Sequence, residues 1–327
     1  MRILVIGGAG YIGSHAFRLL VEAGHDVWAY DNLVYGHRRA VPEGRLIEGD
    51  LHDGLLLTRT LQENKVDAVM HFAAFAQVGE SVIDPAKYYQ NNVVGSLSLL
   101  EAMRTADVRK IVFSSTTATY GVPNVIPITE AEPQKPINPY GYSKLVVEQA
   151  LADYTKAYGF GYAALRYFNA SGASPAGDIG EDHTPETHLI PLVLQVALGQ
   201  REAITVFGQD YPTPDGTCIR DYVHVDDLGS AHLKALDLLA PGVEIRANLG
   251  TGRGYSVREV IDSCRRVTGR TIKELVGPRR AGDPPELIAD ASLARRTLGW
   301  TPRYTDIQEI VATAWRWHSS HPQGYGK

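Results

Sequence analysis

The sequence predicts an α/β chain: a doubly wound parallel sheet with helices on both faces, followed by a smaller mixed α/β lobe. Three observations carry this. Short apolar runs alternate with helical stretches through the first half, the order that a helix-covered parallel sheet requires. A glycine motif, Gly7-Gly8-Ala9-Gly10-Tyr11-Ile12-Gly13, follows the first apolar run directly. A length of 327 residues leaves room for a large core and a second lobe.

The first run, Arg2 to Ile6, has no breaker and reads as a buried strand. A helix should follow over Ser14 to Glu22, with Ala16, Leu19, Leu20 and Ala23 at helical spacing. Between strand and helix, glycines allow a tight turn and close approach to a pyrophosphate, and the helix N-terminus adds free N–H groups. This is a Rossmann-type dinucleotide cradle, with Gly7, Gly10, Tyr11, Ile12 and Gly13 around the ligand. A second strand over Asp26 to Tyr30 ends in Asp31-Asn32. Asp31 falls 18 residues after Gly13, where a carboxylate accepts from ribose hydroxyls and repels a 2′-phosphate. The expected cofactor is therefore NAD, with His37, Arg38 and Arg39 as loop charges. A third strand, Arg45 to Glu48, leads to Asp50-Leu51. Asp50 can accept from an adenine amino group or cap a helix.

Further strands are expected at 68–72, 110–114 and 161–166. Ligand groups should gather beyond the carboxyl ends of the parallel strands. Those ends carry Gly7, Asp31, Asp50, Phe72-Ala73-Ala74, Ser114-Ser115-Thr116 and Tyr167-Phe168-Asn169.

Composition sets bounds. Charged residues are 21% of the chain and the net charge is −5, so no basic surface points to nucleic acid. Cys218 and Cys264 are too few for a disulfide framework. No apolar run approaches the roughly 20 residues of a membrane span, and the first strand does not read as a signal peptide. A cytoplasmic setting, without membrane or nucleic-acid partners, is expected. The histidines show no metal spacing. His71, His183 and His224 are expected to be satisfied by backbone or core contacts, and no metal is expected.

The stretches 91–103 and 143–158 carry apolar residues on more than one helical face, including Val93, Val94, Leu97, Leu145, Val146 and Val147. One apolar stripe suffices to cover a sheet. The wider band suggests a homodimer packed through a four-helix bundle, or deeper burial within one chain.

Tyr140-Gly141-Tyr142-Ser143-Lys144 supplies the chemistry. Four residues apart, Tyr140 and Lys144 share one helix face, and Asn138-Pro139 before them makes a helix start. A nearby ammonium favours the phenolate over the phenol, whose ordinary pKa is about 10. Tyr140 can then exchange a proton with a substrate hydroxyl while hydride moves to a nicotinamide. Thr116 is placed to bond the reacting oxygen, with Ser114, Ser115 and Thr117 competing for that role.

Several longer motifs extend this pattern: Val-Gly-Glu-Ser (78–81), Tyr-Tyr-Gln-Asn-Asn-Val (88–93), Asn-Pro-Tyr-Gly-Tyr-Ser-Lys (138–144) and Leu-Arg-Tyr-Phe-Asn (165–169). The second half adds Phe-Gly-Gln-Asp-Tyr-Pro-Thr-Pro-Asp-Gly-Thr (207–217), Arg-Asp-Tyr-Val-His-Val (220–225) and Arg-Arg-Ala-Gly-Asp (279–283). On these the chain resembles the extended short-chain dehydrogenase/reductase family, and within it the nucleotide-sugar 4-epimerases. The resemblance implies recycled NAD and reversible inversion at C4 of a UDP-hexose through a transient 4-keto sugar. It implies that Tyr140 is the base, Lys144 its partner and Thr116 the hydroxyl. Asn91, Ser114 and Tyr167 join the cofactor contacts. Asn169, His188, Leu189, Thr205, Phe207, Arg220, Val257, Arg280, Asp283 and Leu287 would hold the UDP-sugar. Arg220 and Arg280 suit a diphosphate through forked, charge-assisted bonds.

Three positions depart from the family pattern. Ala76 replaces a lysine that some members direct at the cofactor, so NAD retention is in question. His188 replaces an asparagine near the sugar. Leu287, where some members have a bulky tyrosine, leaves room for an N-acetylated hexosamine. Related readings are a uronic-acid or pentose 4-epimerase and a non-catalytic NAD-binding regulator. A 4,6-dehydratase would need a carboxylate just after the fifth strand, and Thr116-Thr117-Ala118-Thr119 has none. The expected division is 1–169 for the dinucleotide lobe and 170–327 for the sugar lobe, with 226–249 able to return to the first.

Overall fold

The protein is described from a computed structural model covering residues 1–280 and 283–326. Thirteen strands are present among these residues: β1 (Arg2–Ile6), β2 (Asp26–Asp31), β3 (Leu46–Glu48), β4 (Ala68–His71), β5 (Lys110–Thr116), β6 (Gly161–Tyr167), β7 (Asn169–Ser171), β8 (Ile204–Phe207), β9 (Ile219–His224), β10 (Glu244–Asn248), β11 (Gly254–Ser256), β12 (Glu274–Gly277) and β13 (Glu286–Leu287). Seven form one sheet in the order β10-β6-β5-β4-β1-β2-β3. Every pairing in it is parallel.

Both faces of this sheet are covered, which is why its strands read as unbroken apolar runs. Ile3, Val5, Ala29, Val112 and Leu165 face one core, shared with Leu228, Ala231 and Ala235 of the helix Val225–Leu238. Leu4, Ile6, Val69, Phe113 and Ala164 face the other, shared with Leu57, Leu99, Val147 and Leu151. The strand order reverses between β1 and β4, and the crevice there opens at the carboxyl ends. The segment 225–248 packs with the first lobe: its helix enters the first core, and β10 extends the sheet beside β6.

Ala291, Ala294, Leu298 and Trp300 also return to the first core, and most of the remaining chain builds a second body around β9. Strands β7 and β13 join it in parallel and β11 joins it antiparallel, while β8 and β12 pair alongside. Its core holds Ile190, Val193, Leu194, Val206, Tyr222, Val260, Ile261, Ile310 and Val311.

Two helical stretches begin earlier than expected, and a third begins where Asn138-Pro139 marks it. The first spans Tyr11–Glu22, because Gly10 already has extended backbone and serves as its N-cap. The helix of the Tyr/Lys pair spans Pro139–Tyr158. Asn138 caps it, its side chain accepting from Gly141 N at 2.8 Å, with proline in the first turn. The stretch expected to be helical from Asn91 starts as a π-helical turn, Tyr89–Val94, before the α-helix Gly95–Thr105. That turn lets the buried Asn92 amide donate to Phe75 O and Ser143 Oγ, both at 3.0 Å, tying three segments together.

The two broad apolar helices divide their residues. Leu99, Leu100, Val147 and Leu151 are buried in the monomer core, whereas Val94 and Val146 remain exposed, at 43% and 41%.

Candidate active site

The glycine motif forms a cradle that side chains would obstruct. Gly7 has φ +76°, and a Cβ there would lie 2.6 Å from Ala73 N; a Cβ on Gly13 would lie 2.0 Å from Gly7 O. No side chain caps the following helix, so its first N–H groups are free to receive an anion. The Tyr11 hydroxyl donates to Gly172 O at 2.6 Å, fixing the first helix against the second lobe.

Above this cradle is an open cleft of ≈ 1250 Å³. It brings together Gly7, Gly10, Tyr11, Ile12, Gly13, Asp31, Asn32, Leu51, Phe72, Ala73, Ala74, Asn91 and His188. The glycine approach, the free helix end and an acid at the tip of β2 fit a dinucleotide. Asp31 accepts from Ala9 N at 3.0 Å and Leu33 N at 2.8 Å, which fixes its carboxylate, and burial raises its pKa. Asp50 is at the rim rather than in the lining. It accepts from Asn32 Nδ2 at 2.7 Å and His52 N at 2.9 Å. Its alternative role as a helix cap is not seen: Asp53 caps the helix Gly54–Glu63, accepting from Leu56 N at 2.9 Å.

Ser114, Thr116, Tyr140, Lys144 and Tyr167 gather at the ends of β5 and β6. Lys144 is buried, donates to Ser114 O at 2.8 Å and is held 4.8 Å over the Phe113 ring. Burial pulls its pKa down to about 7, against the carboxylate of Glu148. The competing hydroxyls sort themselves. Ser114 Oγ bonds Tyr167 Oη, Ser115 Oγ donates to Glu148, and Thr117 Oγ1 donates to Tyr167 O at 3.2 Å. Thr116 Oγ1 accepts from Ala118 N at 3.1 Å, and it is the hydroxyl of this group that acts on Tyr140, favouring its charged form.

Burial raises the Tyr140 pKa, and Thr116 acts in the opposite direction. The drop expected from the lysine is therefore not seen: desolvation is the larger effect.

Beneath the pair runs a buried polar network. Arg166 grips Glu148 through two nitrogens, donates to the Tyr120 hydroxyl at 2.7 Å, and Tyr120 donates to Asn248 Oδ1 at 2.7 Å. This network locks the helix Pro139–Tyr158 to β6 and β10. The motif Leu-Arg-Tyr-Phe-Asn contained Arg166, but strand periodicity alone gave it no role.

In the second lobe, Phe207, Arg220, Arg280, Asp283 and Leu287 converge. Asp283 bonds Arg280 Nε at 2.8 Å and is 3.6 Å from Arg220. The Arg280 guanidinium is 5.5 Å from the Phe207 ring centroid, and Leu287 pairs with Arg220 across β13 and β9. Thr205 is two residues from Phe207 on β8. Asn169 pairs with Tyr222 on β9, and Val257 N donates to Cys218 O at 3.1 Å. His188 caps the helix that begins at Leu189. Ala281 and Gly282 of the Arg-Arg-Ala-Gly-Asp motif lie outside the described residues.

Two features escaped the sequence reading. Lys87 is 4.3 Å over the Phe75 ring of the cleft wall, beside the position where Ala76 lacks a charge. His183 is not satisfied by backbone contacts as expected: its Nδ1 is 3.2 Å from Glu181 and 3.8 Å from Glu186. The spacing Glu181-x-His183-x-x-Glu186-x-His188 was the available signal. His71 and His224 do behave as core histidines, bonding Ser96 Oγ at 2.9 Å and Thr313 Oγ1 at 3.0 Å.

A dinucleotide cleft, a buried Tyr/Lys pair with a threonine, and an arginine-rich second lobe define a nucleotide-dependent enzyme that moves hydride and proton on a second, anionic ligand. The chain belongs to the NAD dependent epimerase/dehydratase family, whose model matches residues 3–250. It is 52% identical to the UDP-glucose 4-epimerase of Lacticaseibacillus casei over 100% of this chain and 99% of that one. It is 53% identical to that of Lactobacillus helveticus over 99% of each. A UDP-glucose 4-epimerase from Brucella ovis, solved with NAD, superposes with TM-score 0.93 at 52% identity, over 96% of this chain and 97% of that one. One from Bifidobacterium longum, with NAD+ and UDP, gives TM-score 0.95 at 40% identity, over 99% and 100%.

Proposed function

We propose that this chain catalyses reversible C4 epimerisation between UDP-glucose and UDP-galactose, with NAD as a recycled cofactor. The observation that carries the reading is the gathering of Thr116, Tyr140 and buried Lys144 at the end of β5, with Lys144 donating to Ser114 O. Bound NAD supplies the hydride acceptor, and its positive nicotinamide offsets the burial that raises the phenol. Tyr140 takes the proton of the sugar 4-hydroxyl, and Thr116 holds that oxygen. Arg220 and Arg280 hold the diphosphate, Phe207 packs on the base, and Asp283 accepts from the ribose. The binding energy then lies on the nucleotide, which leaves the hexose free to turn and take hydride on its other face.

Incubation with UDP-galactose, followed by NMR without added NAD, tests this. Appearance of UDP-glucose supports a retained, recycled cofactor. Activity only after NAD is added points to weak retention at Ala76, and silence in both conditions refutes the reading.

Leu287 supports a wider substrate range. Its half-buried side chain is opposite Arg220, and it is shorter than a tyrosine, so UDP-N-acetylhexosamines are also epimerised. Leu287→Tyr should abolish turnover of the N-acetylated sugars while sparing UDP-glucose; equal loss of both refutes the gate. The exposed Val94 and Val146, with half-buried Leu97 and Leu145 on the same helices, support a homodimer through a four-helix bundle. Light scattering at micromolar concentration should give twice the monomer mass. Among the described residues no helix is long and apolar enough to cross a membrane.

A further inference from the structure

Four ligand-type side chains converge on the loop ahead of the helix Leu189–Ala197. One donor atom from each of Glu181, His183, Glu186 and His188 lies within 4.8 Å of the others. Donors around a tetrahedral zinc at about 2.0–2.2 Å stand about 3.4 Å apart, so this set needs only small movements to close on an ion.

Two further observations bear on it. A second, polar cavity of ≈ 840 Å³ opens on the far side of the group, lined by Glu181, His183 and Glu186 together with Asp182, His318 and His321. The group is thus the partition between this cavity and the dinucleotide cleft, which His183 and His188 also line. An ion can arrive from a side that the nucleotide does not occupy. The Glu181 and Glu186 carboxylates are almost wholly buried, at 3% and 6%, a costly placement unless cationic groups compensate. Both imidazoles stand against these carboxylates: His188 Nδ1 bonds Glu181, and His183 Nδ1 is 3.2 Å from Glu181 and 3.8 Å from Glu186.

We propose that Glu181, His183, Glu186 and His188 bind one divalent transition-metal cation of the zinc class. Imidazole mixed with carboxylate suits zinc, cobalt or nickel better than magnesium or calcium. The ion ties His188, on the cleft wall, to His183, in the partition, and stiffens the loop that borders the nucleotide site. It takes no part in moving hydride.

The test uses tag-free, NAD-loaded protein dialysed against a chelator. Cobalt(II) alone is followed by visible absorption, and zinc alone by calorimetry. The expected result is one equivalent with Kd at or below about 10 μM near pH 7.5 and a d–d absorption of low-coordinate cobalt. His183→Gln and Glu186→Gln should each weaken binding at least about tenfold with circular dichroism unchanged, whereas His321→Gln should leave it intact. No stoichiometric binding at millimolar metal would overturn the proposal. So would binding that survives both ligand substitutions, or that is lost with His321→Gln.

Discussion

Replacing Glu148 with glutamine should destabilise this protein far more than a typical surface substitution. The carboxylate is buried, receives two nitrogens of the buried Arg166, and also accepts from Ser115 Oγ and from Gln134 Nε2 at 3.2 Å. Glutamine keeps the shape but leaves the guanidinium as an unpaired buried charge. Breaking one partner of such a pair costs about 3–5 kcal/mol, a large share of the usual 5–15 kcal/mol of net stability. Urea unfolding at fixed NAD concentration reads the loss, since any ligand of the folded state adds stability. The double variant Glu148→Leu/Arg166→Met should recover much of it, because no charge is then stranded. It should not recover everything, since the Tyr120 hydroxyl loses the nitrogen that donates to it. Glu148 also favours the charged form of Lys144, so kcat should fall with KM for the UDP-sugar unchanged. A loss below about 1 kcal/mol for Glu148→Gln would refute the view that this pair anchors the catalytic helix.

Other outcomes follow from the same site. Tyr140→Phe should lower kcat by about 10²- to 10⁴-fold with little change in substrate affinity; a loss confined to KM would deny it the proton-transfer role. Gly13→Ala places a Cβ 2.0 Å from Gly7 O, and NAD binding by calorimetry should weaken at least about tenfold, or about 1.4 kcal/mol. Lys144 has a folded pKa of about 7, below its ordinary 10.5. The unfolded chain therefore binds more protons between those values, and cofactor-free stability should rise with pH from about 7 to about 10. Lys144→Met should flatten that rise, and an unchanged slope would contradict the assignment.

Much of the dinucleotide lobe was legible because its signals are local. Strands β1, β4 and β5 are buried on both faces, so each is visible as an apolar run, with polar residues only towards its ends. The glycine motif is legible for a stronger reason: a Cβ on Gly7 or Gly13 collides with backbone, and no neighbouring residue can compensate. The starts of helices were less legible. Gly10 caps through its backbone alone and leaves no side-chain signal, whereas the start at Pro139 was legible from Asn138-Pro139, the Asn138 side chain accepting from Gly141 N. The π-helical turn at Tyr89–Val94 has no periodicity of its own and is set by Asn92, which bonds Phe75 and Ser143 from distant parts of the chain.

The second lobe shows where sequence reasoning reaches its limit. Arg220, Arg280 and Asp283 were legible as residue types that suit a diphosphate and a ribose, but their meeting depends on β9 acting as a hub for β7, β11 and β13. No pattern along the chain states that pairing. The protonation states are equally non-local. Tyr140 and Lys144 share a helix face, which the spacing gives directly. Whether the lysine lowers the phenol is decided by how deeply both are buried, and burial is fixed by β5, β6 and the network from Glu148 to Asn248. Burial pushes the Tyr140 phenol up and the Lys144 ammonium down, so the charge of the pair is set by the packing around it and not by the four-residue spacing that puts both on one face.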